Sequence, residues 1–311
     1  MWRLESTAAC EYQRRPAGAT IRLWLAALVS LIRSRTLVYA FAVSALGVYL
    51  VVTGGKVTDI TVPIRLGISA YLLALATYLY NDITDYKTDL VNKRATVYSL
   101  GDARQRMTRY YTLAFFAIST ILAFSINYYT GIASLGFSSL AVLYSHPRTN
   151  LKSMFVVKTA VTGAGGFLVG MMGCFSSGGF SYLGLLASVI PFCFYFILGP
   201  LGDISDMKGD KEDGRRTFPI IIGVKKSLLV TVASIFAILS IFLISNMILG
   251  ISAVGVGLGI IVTGFMLSRI ASVSKKYQDK NELRRCRRSI RYCIFACQVS
   301  LMIGAIIAGI P

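Results

Sequence analysis

The fold class predicted is an all-α membrane protein, a bundle of about nine transmembrane helices around a central cavity open toward the cytoplasmic side. Three observations predict it. Hydrophobic residues make up 55% of the 311-residue chain, charged residues only 15%, and the mean hydropathy is +0.65, whereas a soluble domain carries about 25% charged residues. Apolar stretches near the roughly 20 residues needed to cross the hydrocarbon core recur along the whole length. Lysine and arginine crowd alternate connections between those stretches.

Residues 1–21 read as a polar N-terminal segment and residues 22–311 as a single transmembrane domain. In 22–35 the apolar run Leu23 to Ile32 is framed by Arg22, Arg33 and Arg35. It suits either an interfacial amphipathic helix or the first turns of a long first span. Charged residues before it and a continuing span after it make it a poor signal peptide. Nine spans come next, at about 36–53, 63–81, 108–128, 130–145, 154–175, 182–202, 227–248, 250–269 and 290–309. Spans three and four, and spans seven and eight, nearly touch, so their connections must be tight hairpins. Gly163, Gly165, Gly166, Gly170 and Gly173 crowd span five. They predict close helix packing through small residues rather than a phosphate loop. Pro191 and Pro200 fall inside span six, where each removes a backbone hydrogen bond and makes room for a lipid tail beside Asp203. The six cysteines show no metal spacing and read as small buried thiols.

The charge map sets an orientation. Lys87 to Arg109, Arg148 and Lys152, Lys208 to Lys226, and the run 275–291 load the connections after spans two, four, six and eight. Lys56 and Asp59 are the only charges in the intervening ones. By the positive-inside rule the loaded side is cytoplasmic, with the N-terminus inside and the C-terminus opposite. The net charge of +18 is then a matter of topology, and no soluble domain remains to bind nucleic acid. The run 275–291 reads as an inside anchor that can touch anionic membrane lipid.

Two acidic triplets carry the chemistry. Asp82, Asp85 and Asp89 repeat the spacing of Asp203, Asp206 and Asp210, with offsets 0, 3 and 7. Those offsets put three carboxylates on one face of a helix. Six of the chain's 14 acidic residues lie in these two clusters, each directly after an apolar span. At insertion costs of about 2.5–3.5 kcal/mol per Asp, six at the bilayer centre would cost roughly 15–20 kcal/mol. They therefore belong at helix ends or in a wet, cation-filled cavity. Carboxylates this close repel unless a cation lies between them, and hard oxygen ligands suit Mg²⁺. The motif connections are expected at about 82–106 and 203–226.

Asn81-Asp82-x-x-Asp85-x-x-x-Asp89 and Asp203-x-x-Asp206-x-x-x-Asp210 resemble the two signatures of the UbiA superfamily of intramembrane prenyltransferases. Gly214-Arg215-Arg216-Thr217-Phe218-Pro219, and Tyr144-Ser145-His146-Pro147-Arg148 with Lys152 after it, are similar to further stretches of that family. The run Asn92 to Ser99 lacks the prolines that many members carry. Gly202 stands where the first motif has Asn81, so two asymmetric metal sites are expected.

The resemblance implies an enzyme that takes an isoprenyl diphosphate donor and a hydrophobic acceptor, lipid-like or aromatic, in the membrane. It implies Mg²⁺ held by Asn81, Asp82, Asp85, Asp89, Asp203, Asp206 and Asp210, with Asp82, Asp85, Asp203, Asp206 and Tyr144 catalytic. Lys93, Arg94, Arg148, Lys152, Arg215 and Arg216 would neutralise diphosphate. Tyr78, Tyr80 and Tyr144 suit either carbocation stabilisation or an interfacial aromatic belt. His146 suits a proton acceptor or a solvated interfacial residue, and Lys158 a functional cation or a snorkelling one. Transfer to an acceptor, terpene cyclisation without one, and a non-catalytic carrier remain as three readings. The carrier is disfavoured because no ionisable path crosses the membrane.

Overall fold

The structure is a computed structural model that describes Val29 and residues 38–86, 102–212 and 214–310, with residues 102–104 in backbone only. Segment 22–35 apart from Val29, and the predicted ligands Asp89, Lys93 and Arg94, lie outside the described residues.

The described chain is helical. In order the helices are α1 (Tyr39–Val52), α2 (Thr61–Thr84), α3 (Asp102–Ile126), α4 (Tyr128–Ser145), α5 (Val157–Ser176), α6 (Tyr182–Glu212), the one-turn α7 (Phe218–Ile221), α8 (Gly223–Leu249), α9 (Ala253–Lys275) and α10 (Lys280–Ile307). Each of the nine expected spans corresponds to one long helix. Seven are long and apolar enough to cross a membrane, and this is an integral membrane protein. The described α1, at 14 residues, extends about 21 Å and falls short of a ~30 Å core. Serines and tyrosines lower the hydropathy of α4.

Several helices overrun their expected spans, α6 and α10 the furthest, and α6 moves a motif. Residues 203–212, expected in a connection, continue α6 as helix; beyond it Gly214 sits at φ +68° and the N–H of Arg215 closes back on the Asp210 carbonyl. The basic stretch before residue 290 is likewise the start of α10. Its buried positions Leu283, Cys286, Ile290, Cys293, Cys297 and Leu301 recur at intervals of three and four, which is the stripe of a packed helix.

The hairpins are as tight as expected. Asn127 alone separates α3 from α4; its side chain accepts the Thr130 N–H at 2.9 Å and donates to the Phe175 carbonyl at 2.8 Å, which ties the turn to the end of α5. Gly250, at φ +71°, ends α8 and lets Ser252 start α9 two residues later. The glycines of α5 are packing residues. A Cβ at Gly170 would lie 2.8 Å from Ser188 Cα, one at Gly166 would meet the Tyr195 ring, and one at Gly173 would run into the backbone of α1 at Ala45. The stripe therefore seats α5 against α6 and α1 at near-backbone distance. Between α1 and α10 the contact is polar: Gln298 Nε2 donates to the carbonyl of Ser44 at 3.0 Å.

The acidic-residue ends of α2 and α6 lie at one end of the bundle, with the starts of α1, α5 and α10. A cavity of about 760 Å³ opens there between α1, α5, α6 and α10, with Tyr78 of α2 on its wall.

Candidate active site

The first acidic motif is where α2 stops. Asn81 and Asp82 belong to its last turn, and Asp85 caps it by donating its backbone N–H to the Asn81 carbonyl. Asp82 is 5% exposed. Lys152 reaches across from the short 3₁₀ turn between α4 and α5 and donates from Nζ to Asp85 Oδ1, with Asn81 Oδ1 and Thr84 Oγ1 each 3.4 Å away. Ser145 Oγ adds a 3.1 Å hydrogen bond to Asn81 Oδ1. The connection bearing Lys152 is strained. Asn150 sits at φ +41° and Val156 at φ +63°. Asn tolerates this region, but a β-branched residue there is an outlier of a kind that clusters at functional sites.

The second motif lies along one side of α6. Asp203 is 5% exposed. Its Oδ1 accepts from Lys158 Nζ at 2.7 Å, while its buried Oδ2 has no hydrogen-bond partner among the described residues. Asp206 is exposed and lines the cavity with Asp203. Asp210 is buried, 3.9 Å from Arg215 Nη1. Lys152 and Lys158 are six residues apart and pair with opposite motifs, so the start of α5 is the bridge between them. Tyr144 stands between the motifs as well, within electrostatic range of Asp203, Asp85, Tyr78 and Arg215.

The cavity wall changes character with depth. At one end stand Asp203, Asp206 and Lys158; deeper, the aromatic side chains of Phe41, Tyr78 and Tyr195 replace the charges. Phe41 packs edge-on to Tyr78 with ring centroids 6.4 Å apart and lies 6.2 Å from Tyr195. Gly166 and Pro191 line it too, and the absent side chain of Gly166 lets the Tyr195 ring and the Pro191 carbonyl approach α5 closely.

Other predicted residues fall elsewhere. Among the described residues, Asp203 and Asp206 are the only motif acids that line the cavity; Asn81, Asp82, Asp85, Asp210, Tyr144, Lys152 and Arg215 are not on its wall, and neither are Arg148 and Arg216, which are exposed. His146 caps α4 and its Nδ1 accepts the Arg148 backbone N–H at 3.2 Å, which makes it part of the turn. Tyr80 does not line the cavity. Lys158, left open between functional cation and snorkelling residue, is the counter-ion of Asp203.

Sequence reasoning missed Arg287, Arg288 and Arg291, which the run 275–291 hid among anchoring charges; all three line the cavity. Arg287 explains the asymmetry between the motifs. A Cβ at Gly202 would lie 3.3 Å from Arg287 Nη2, so the position that holds Asn81 in the first motif leaves room in the second for a guanidinium. The period of the buried stripe in α10, begun at Leu283, is the signal that could have found it.

Among the described residues no three His, Cys, Asp or Glu side chains already converge as a metal cage. Lys152 and Lys158 occupy the sides of Asp85 and Asp203 that a cation would take. The orphaned Asp203 Oδ2 is nonetheless a buried acceptor in want of a cation, and Mg²⁺ with one or two carboxylates and substrate phosphate oxygens fits that donor set.

Acidic side chains beside an aromatic-walled cavity inside a helical membrane bundle are the arrangement of an intramembrane enzyme. Residues 40–291 match the sequence profile of the UbiA prenyltransferase family, and the chain belongs to that family. It is 28% identical over 233 residues to digeranylgeranylglyceryl phosphate synthase of Pyrococcus furiosus, covering 74% of this chain and 80% of that one. To the synthase of that name from Thermococcus kodakarensis it is 24% identical over 295 residues, covering 90% and 98%. A solved structure concerned with digeranylgeranylglyceryl phosphate synthase in membranes superposes with a TM-score of 0.68 at 20% identity, over 91% of this chain and 99% of that one. A UbiA homolog from Archaeoglobus fulgidus bound to GPP and Mg²⁺ superposes with a TM-score of 0.62 at 16% identity, over 89% and 99%. Of the three readings left by the sequence, the prenyltransferase stands.

Proposed function

We propose that this chain transfers a prenyl group, with Mg²⁺, from an isoprenyl diphosphate to the hydroxyl of a glycerophosphate lipid. The names of its relatives suggest geranylgeranyl diphosphate as donor and geranylgeranylglyceryl phosphate as acceptor, since their product carries two geranylgeranyl groups on one glyceryl phosphate. The observation that carries the reading is the buried, half-satisfied carboxylate of Asp203 facing an aromatic-walled cavity, with Asn81 and Asp85 linked to it through the start of α5.

In this reading Asn81, Asp82 and Asp85 on one side and Asp203 and Asp206 on the other hold Mg²⁺ against the diphosphate, with Asp89 and Asp210 further out. Bound Mg²⁺ supplies charge that stabilises the departing diphosphate. Lys152 and Lys158 then have a second partner: each leaves, or shares, its carboxylate and donates to phosphate oxygens. Arg215 does the same from Asp210, and Lys93 and Arg94 remain candidates on the same end. The allylic C–O bond breaks with its electron pair going to the diphosphate. Phe41, Tyr78 and Tyr195, with Tyr144 nearer the motifs, line the place where positive charge develops on carbon, and aromatic faces stabilise such charge. They also keep water from capturing it. The acceptor hydroxyl oxygen forms the new C–O bond and passes its proton to an oxygen of the departing diphosphate. The loaded end of the bundle faces the cytoplasm, as the excess of Lys and Arg there supports.

The test is turnover of purified protein with both lipids. Asp85→Asn and Asp203→Asn should each lower kcat at least 100-fold in folded protein, and EDTA should do so reversibly. Full turnover in an Asp85→Asn, Asp203→Asn double variant would sink the two-motif mechanism.

A further inference from the structure

The cations that belong to the acidic motifs are committed, and those of α10 are not. Lys152, Lys158 and Arg215 each face a carboxylate. Among the described residues no salt bridge joins Arg287, Arg288 or Arg291 to an acid. The Arg287 guanidinium, pressed against Gly202, gives one long hydrogen bond, 3.4 Å to Ser205 Oγ. Arg291 spends its Nε on the Arg287 carbonyl at 3.3 Å. A guanidinium has five N–H donors, so most of this capacity is unused. Three like charges within little more than one helical turn repel one another, and Arg287 is partly buried, which favours an arriving anion. Directly along the same helix, Tyr292, Ile294 and Phe295 continue the cavity wall in apolar and aromatic groups. A basic head followed by an apolar stem on one helix complements a lipid phosphate.

We infer that Arg287, Arg288 and Arg291 form a metal-independent phosphate subsite that takes the phosphate monoester of the acceptor, whose chain lies along Tyr292, Ile294 and Phe295. The inference rests on the glycerophosphate reading above and adds which wall holds which anion. Carboxylates bind a diphosphate only through metal, so the donor's head goes to the α2 and α6 motifs. A phosphate monoester needs no metal against three guanidinium groups, which grip its oxygens in a two-pronged way. The two anionic heads then sit on neighbouring helices, α6 and α10, with the acceptor hydroxyl pointing toward the reacting carbon. Arg287, against Gly202 and Ser205 on the stretch of α6 that carries Asp203 and Asp206, is the point where the two subsites meet.

Steady-state kinetics of the full chain with geranylgeranylglyceryl phosphate, and with the same lipid lacking its phosphate, test this. Arg287→Gln, Arg291→Gln and the exposed Arg288→Gln should raise the KM for the phosphorylated acceptor, the first two about 10-fold or more. The KM for the dephosphorylated acceptor and for the donor should move less than about threefold. Arg287→Lys should recover part of the loss, because Lys keeps the charge without the planar fork. Calorimetry in EDTA gives a readout without catalysis: wild type and Asp203→Asn should bind the phosphorylated lipid, and Arg287→Gln, Arg291→Gln should not. A rise in donor KM alone would assign α10 to the donor and overturn the inference. So would an unchanged preference for the phosphorylated lipid in variants shown to be folded by their melting curves. If wild type turns over no glycerophosphate acceptor at all but transfers to another alcohol, the proposed function fails and takes the inference with it; if wild type turns it over and the variants keep the preference, the inference alone fails.

Discussion

Lys158→Met removes the cation from Asp203 while keeping the length of the side chain, and the structure sets the consequence. The ion pair spans 2.7 Å, Asp203 is 5% exposed and its other oxygen has no partner among the described residues. Removing one member of a buried pair costs about 3–5 kcal/mol because the remaining charge is left unpaired. The Lys158 side chain is 25% exposed, which lets water reach the site and places the expected loss near the lower end, about 3 kcal/mol. If Asp203 is also a metal ligand, Mg²⁺ alone supplies the missing charge, without the diphosphate to which Lys158 would itself donate. The destabilisation should then be large in EDTA and shrink to about 1 kcal/mol or less in saturating Mg²⁺. Thermal unfolding of wild type, Lys158→Met, Asp203→Asn and the double variant, each in EDTA and in Mg²⁺, measures this. The double variant should lose less than the sum of the two single losses, since they share one interaction. An equal loss for Lys158→Met in both conditions would refute the reasoning, because it would mean that no ligand charge reaches Asp203.

The same geometry sets three further outcomes. Gly173→Ala drives a methyl into the backbone of α1 at Ala45, so it should destabilise the protein by about 1–3 kcal/mol, read as a lower melting temperature with unchanged KM values at a permissive temperature. Arg148→Ala removes an exposed side chain away from the cavity, and should leave the donor KM within about twofold; a tenfold rise would return Arg148 to the diphosphate site. A reporter fused after Pro311 should map to the face opposite one inserted beside Lys276, since α10 crosses once between them; the same face for both would break the proposed orientation.

The sequence by itself determined the class of fold and the two acidic ends. A helix in lipid must satisfy its own backbone, so length and hydropathy translate almost directly into spans, and the tight hairpin between the third and fourth was readable, though its turn falls at Asn127, two residues before the expected gap. The glycines of α5 were readable as packing residues for the same reason: close approach in lipid needs small side chains. Paired acids beside a membrane span were readable because their burial costs too much without a cation. What tertiary structure decided was partnership. Lys152 and Lys158 are 67 and 45 residues from the carboxylates they hold, and no local pattern encodes those distances. Arg216 sits beside the second motif in sequence and Arg148 just after Tyr144, yet both stand away from the cavity wall, while Arg287 comes from the far end of the chain and fills the space that Gly202 leaves. Charge along a sequence fixes which side of a membrane a segment takes; which of those charges faces a substrate depends on how far a helix runs past the bilayer and on the direction its packed stripe turns it.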